Sequence, residues 1–497
     1  MVRHIFLKEL QIALLNKRLA ASCLALVILM VAGGVVFEKR YRSMQREYEE
    51  FMLQEGQGIE AITNSRLKEI DEAKQKGAVI PQEQIDRYLK LTVGDLIFVT
   101  RCISKEPSKL SFIASHNSSL PNGLEMNYFR TSIPQTYSTY NQYFRSFVAL
   151  DWANIIMYFI SFICLCFAYD AFSGEKQQGT LKLMLASSVP RWKILLGKLF
   201  ALWCILLAPV VVGVLIHLLI LQLSASTALS PADYGKILVF FFATVLFIGV
   251  NILLFFAISI FTPRASVSSI VCLLVWIVLV FVLPNTGWLI AGKLYPVPSI
   301  AEQKLREEAL VNDADDKTIR WSDNWRNQWE QHAEDIYKWK NKRDRIENIR
   351  RELWDDYRNR LFRQTDISIA LSKISPFMVF RLINDRIADN NYYGYRNFHR
   401  QAVAYQDAYR SFIIDKDAAD PQSRHLIWDD PPGWDKKCRS FISNAPVATD
   451  EIPVFTCQSP KVATLIHNSQ SDFIILLLWM GLLFCIVYYA FVRYDVR

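Results

Sequence analysis

Apolar residues gather along this chain in six long runs, near 19–37, 151–169, 198–222, 236–261, 266–284 and 472–492, separated by stretches dense in charge. A helix needs roughly 20 predominantly apolar residues to cross about 30 Å of hydrocarbon. Lipid offers nothing to bond backbone N–H and C=O groups, so spans built from single runs must be helical. The pattern predicts an all-α polytopic membrane protein with six transmembrane helices and largely helical insertions, leaving room for minor β structure. Pro284 and Asn285 blur the exit of the fifth run. The first run reads as a span rather than a cleaved signal peptide, which is the competing reading. It begins after Met1–Arg18, and Ala32-Gly33-Gly34 leads into Val35-Val36-Phe37 instead of a soluble domain.

Lys and Arg near the runs set an orientation. They crowd residues 1–18, the 170–197 loop with Lys198 at its edge, the Arg264 turn and the 493–497 tail, and are missing from the turn 223–235. Six spans with both termini cytoplasmic satisfy this alternation. The long segments 38–150 and 285–471 are then extracytoplasmic. Residues 1–18 set Ile5, Phe6, Leu10, Leu14 and Leu15 against Arg3, Lys8, Lys17 and Arg18, as in an amphipathic helix lying in the interface. The plainer reading is the cytoplasmic start of the first span. Charged residues make up 21% of the 497, too many for a chain wholly in lipid, and the net charge is +8. No nucleic-acid partner is expected.

The first insertion reads as a helix from Glu38 to about Gly56, a second from Ile59 to about Gly77, and a third opened by Pro81, with irregular or strand-like sequence from Cys102 to Tyr140. In the second insertion Trp321, Trp325 and Trp329 recur every fourth residue, which places them on one helical stripe. That stripe is either a seam between long helices or an aromatic ligand face. An oxidising exterior would favour a Cys438–Cys457 disulfide, with Cys102 left over.

Chemistry-bearing patterns are few. No GxxxxGK[ST] loop, HExxH or CxxC occurs, and the seven histidines are scattered. Asp313, Asp315 and Asp316 lack the Gly and distal Glu of a calcium loop, so no metal site is assigned. Within the spans the costly polar residues are His217, Gln222 and Asn251. His217 and Asn251 are candidate path-lining residues, with interhelical hydrogen bonding as the alternative. Pro209 is a candidate kink in the third span.

The segment between the second and third spans carries Asp170, Glu175, Gly179-Thr180-Leu181, Pro190-Arg191 and Leu196-Gly197-Lys198 in that order. It resembles the cytoplasmic coupling loop of ABC-2 type transporter permeases, with Gln177-Gln178 where a second acidic residue is usual. Tyr295-Pro296-Val297-Pro298-Ser299, Ile374-Ser375-Pro376-Phe377 and the terminal Arg493–Arg497 are similar to a six-span subgroup with large outer insertions, related to permeases of nitrous-oxide-reductase maturation and gliding motility. The resemblance implies a bacterial inner-membrane permease, most simply an exporter. It would be coupled through 170–197 to a separate ABC ATP-binding subunit that holds ATP and Mg, and paired with a second permease. The path would run between the permeases, beside the second and fifth spans. The short loop helix, apolar at Leu181, Leu183, Met184 and Leu185, would dock on the ATPase, with Glu175 and Arg191 supplying charged contacts. The alternative is an ABC-type machine that regulates or assembles a periplasmic or envelope partner without moving solute. A membrane-bound enzyme is a third class, for which no catalytic set is visible.

Overall fold

A computed structural model describes residues 2–76, 79–115, 123–129, 131–132, 151–186, 190–223, 229–314, 333–389, 392–426 and 441–494. The tryptophans at 321, 325 and 329, Asp315, Asp316 and Cys438 lie outside the described residues, and so does the expected Cys438–Cys457 pair. Among the described residues, six helices are long and apolar enough to cross a membrane.

The chain opens with α1 (Val2–Leu15), and Asn16 then caps α2 (Lys17–Gln75), its side chain accepting from the Arg18 N–H at 3.0 Å. The break expected near Gly56 does not occur: α2 is one helix of 59 residues. A helical glycine costs only about 1 kcal/mol relative to Ala. Burial of Ile70 and the close seat of Phe51 over Gly123 hold the outer half of α2. After α3 (Gln82–Leu89) comes α4 (Val93–Phe98), opened by a Thr92/Asp95 capping box. A small antiparallel sheet follows, in the order β1 (Arg101–Ser104), β2 (Gly123–Met126) and β3 (Thr131–Ser132).

The second span, α5 (152–168), contains a π-helical turn at Ile155–Ile160. The loop helices α6 (Ser173–Gln177) and α7 (Thr180–Ala186) lead to α8 (Arg191–Leu223), which runs unbroken through Pro209. Next come α9 (Pro231–Phe261) and α10 (Ala265–Leu294). The fifth span therefore does not stop at Pro284. A π turn at Val278–Val282 precedes the proline, and the Leu283 N–H already reaches back to the Val278 carbonyl. In that register the missing N–H of Pro284 would have bonded the Leu279 carbonyl. The buried Ser375 hydroxyl donates to that carbonyl instead, at 2.6 Å.

In the second insertion α11 (Ile300–Ala314) pairs with α12 (Ala333–Ser372), joined by Trp354 and Arg350 bonding Glu307 and by Gln303 donating to the Leu353 carbonyl. Then α13 (Pro376–Ala388) turns back into the bundle, stacking Phe380 on Phe247 of α9 at 4.3 Å between ring centres. The long α14 (Tyr392–Ala418) precedes the final span, α15 (Val462–Val492).

Two hydrophobic cores result. One runs through the spans and takes in α13. The other joins the two insertions, burying Leu96, Ile97, Ile103 and Leu124 against Phe398, Tyr409 and Ile413. Tyr409 also donates its hydroxyl to the Leu96 carbonyl at 2.8 Å. Among the described residues, the two insertions therefore pack against each other through this core.

Candidate coupling site at one end of the bundle

The loop from Tyr169 to Lys198 folds as two short helices hinged at Gly179. Gly179 has φ of 74°, and a Cβ placed there would meet nothing within 4 Å. Backbone angle rather than space demands glycine at this point. Thr180 begins α7 with its hydroxyl donating to the Glu175 carbonyl at 3.3 Å, and Leu181 buries its side chain in the span core. Asp170 accepts from the Gly174 N–H at its backbone carbonyl, 2.9 Å away, which closes the turn into α6.

Lys198, about two turns inside α8, is buried between two acids. Its Nζ lies 2.7 Å from Glu175 Oε1 and 3.0 Å from Glu9 Oε1 of α1. A cation removed from water in this way needs opposite charge close by. Gly197 beside it lets α1 pack close: a Cβ there would fall 2.7 Å from Ile5 Cγ2. Sequence reasoning did not name Glu9, yet it is the lone acidic residue of the basic 1–18 segment.

The loop also binds the ends of the other spans. Ser259 of α9 accepts from the Phe172 and Ser173 N–H groups at 3.1 and 3.0 Å. Ser268 of α10 donates to the Tyr169 carbonyl at 2.6 Å. Lys176 caps the C-terminal end of α9, donating to the Ile260 carbonyl, and sits 4.9 Å from the Tyr494 ring centre. Arg191 does the same for α15, donating to the carbonyls of Val492 at 2.6 Å and Tyr494 at 3.0 Å. Cations at helix C-termini satisfy carbonyls that have no intrahelical partner and complement the negative dipole end.

The residues quoted for the loop therefore come together, with divided roles. Glu175, Arg191 and Lys198 bond within the chain, whereas Gln177, Gln178, Thr180, Lys182 and Pro190 are exposed. Leu183 is 76% exposed and Trp192 45%.

The intramembrane polar residues make internal bonds. His217 is fully buried; its Nδ1 accepts from Trp152 Nε1 at 2.7 Å, and its ring rests over Gly34, where a Cβ would clash. Asn251 donates to the Phe247 carbonyl of its own helix at 2.8 Å, and Gln222 to the Tyr234 hydroxyl at 2.9 Å. His217 and Gln222 thus bond to a neighbouring helix, whereas the Asn251 bond stays within its own. Among the described residues no cluster of His, Cys, Asp or Glu is arranged to hold a metal.

Residues 3–496 match the family model described as ABC-2 family transporter protein. The chain belongs to that family. No curated protein is similar enough to this sequence to match it. The permease is accordingly a multi-pass membrane subunit of an ABC transporter, of a kind that generally pairs with an ATP-binding subunit.

Proposed function

We propose that this permease receives force from a separate ATP-binding subunit through residues 170–197 and exports its cargo across a bacterial inner membrane, working beside a second permease with both termini in the cytoplasm. ATP and Mg belong to the ATPase partner. The observation that carries the reading is the two-sided loop. Its outer side offers Leu183, Lys182 and Gln178; its inner side is bonded to Lys198 of α8, which also holds Glu9 of α1, and to the ends of α9, α10 and α15. A push on α7 would move those helix ends together, since packed elements transmit displacement as rigid bodies.

A gentle detergent pull-down of the tagged chain, with mass spectrometry and an ATPase assay, tests this. The expected result is co-purification of an ATP-binding subunit that is lost in Leu183→Asp, while the variant keeps its membrane insertion and melting temperature. Undiminished capture by Leu183→Asp sinks the assignment of the docking face. ATPase stimulation by a small solute or lipid favours cargo export; stimulation only by an envelope protein favours the regulatory machine.

A further inference from the structure

At the end of the bundle opposite the coupling loop, a cavity of about 1500 Å³ opens between α12, α14, residues 454–460 and the first turns of α15. Five cationic side chains line it against two carboxylates. Most of these are already paired. Arg358 bonds Asp355, Asp389 holds Lys105 at 2.7 Å, Arg396 holds Asp366 at 2.8 Å, and Arg386 shares Asp472 with Lys373.

Among the described residues, two of the lining cations have no carboxylate partner. Arg400 is exposed and donates only to the Asn397 amide oxygen at 2.8 Å, and among the described residues no carboxylate lies within ion-pair distance of it or of Lys461. Lys461 also precedes α15, which begins with no side chain capping it, and Thr464 and Leu465 of its first turn line the same cavity. Cationic side chains and a helix start therefore favour negative charge in one place. His399, also in the lining, is kept neutral by burial with Arg358 nearby, its pKa lowered to about 4.

Size and position narrow the ligand. The cavity is far larger than a bare oxyanion, exceeding the roughly 300–1,000 Å³ usual for small-molecule sites. Phe362, Tyr393 and Phe455 give its wall apolar surface. Arg386 ties the lower rim to Asp472, where the last apolar run begins, and Lys461 stands eleven residues earlier, immediately before α15. At 1.5 Å per residue that is about 16 Å farther out, so the cavity starts at the membrane edge and rises past a headgroup layer of about 5–8 Å into the water beyond.

We propose that this cavity binds a phosphate-bearing amphiphile by its headgroup, with Arg400 and Lys461 contacting the phosphate oxygens. The chemistry is shared by a membrane phospholipid and a soluble phosphate ester. The site does not depend on the coupling reading, because its residues lie at the other end of the spans.

The test uses the full chain in detergent with three probes: phosphatidylglycerol, the phosphate-free monogalactosyldiacylglycerol, and glycerol 3-phosphate, with bound ligand counted by native mass spectrometry. Phosphatidylglycerol is expected to bind, and Arg400→Gln with Lys461→Gln to weaken it about tenfold or more, as expected when charge-assisted bonds are removed. Lys68→Gln with Lys74→Gln, an equal charge change at exposed sites on α2, is expected to leave binding unchanged. Glycerol 3-phosphate binding with the same residue dependence identifies a soluble ester as a ligand as well; its failure beside a positive lipid result assigns the site to phospholipid. Lys461→Gln alone, at an exposed position, serves if the double variant misfolds. Equal binding of the galactolipid, or no loss in the cavity variants, overturns the proposal.

Discussion

Lys198, Glu175 and Glu9 invite a double-mutant cycle, because their geometry fixes both the sign and the scale of the result. Each Lys–Glu contact at 2.7–3.0 Å is worth several kcal/mol of gross attraction at an effective dielectric near 20. Desolvation offsets much of that, since the Lys198 side chain is only 7% exposed. Removing the lysine is the harsher change. It leaves two carboxylates facing each other, and Glu175 Oε2 is already buried without a hydrogen-bond partner. Breaking one side of a buried pair costs about 3–5 kcal/mol, which we lower to about 2–3 because the glutamates keep partial solvent access. Lys198→Met should therefore destabilise by about 2–3 kcal/mol, and adding Glu175→Gln should recover about 1–2 of it. Equilibrium unfolding in mixed detergent–SDS micelles measures all four corners of the cycle. Additivity within about 0.5 kcal/mol would falsify the claim that these side chains hold the loop to the bundle.

Three further perturbations probe separate joints of the fold. Gly179→Ala should cost about 1–2 kcal/mol, because an L-residue is strained at φ of 74°, and Gly179→Asn should recover part of it; equal stability of all three proteins in the same unfolding assay refutes the hinge. Ser375→Ala should cost about 1–2 kcal/mol by orphaning the Leu279 carbonyl, with hydrogen exchange rising around 279–284; unchanged exchange refutes the substitution of that hydroxyl for the missing proline N–H. His399, in the outer insertion, has a folded pKa of about 4 against 6.5 for the free side chain, so the unfolded chain binds a proton more readily and stability falls as pH drops from 6.5 towards 4. His399→Phe should flatten that slope in melting temperature against pH, and an unchanged slope places the titration elsewhere.

What could be read from the chain follows from how local each signal is. The six spans are visible because a bilayer demands one long apolar run per helix, and that demand is met residue by residue. The loop motif was legible in its order, and Gly179 shows why the glycine matters: its need is a local backbone angle. The continuation of α2 past Gly56 and of α10 past Pro284 was not legible, because each depends on a distant partner, Asp95 holding Arg66 at 2.6 Å in one case and the Ser375 hydroxyl in the other. Breaker residues state only a local preference of about 1–3 kcal/mol, which tertiary contacts can override.

The same reasoning explains the division of labour in the loop. From the sequence, Glu175 and Arg191 look like handles for a partner, since charges flanking a short helix are normally solvated. The fold places a buried lysine and the open carbonyl end of α15 next to them, and pairing within the chain prevails because leaving those groups unsatisfied would be dearer than any rim contact. What remains outward is Leu183 with uncharged neighbours and Lys182. An interface of that composition draws its strength from apolar burial with few charge pairs, so association with the proposed ATP-binding partner should weaken little between 0.1 and 0.5 M salt, where the Debye length falls from about 10 Å to about 4 Å. Titrating salt in the pull-down measures this. A steep salt-dependent loss of the partner would return Glu175 or Arg191 to the interface and require the loop to open when it docks.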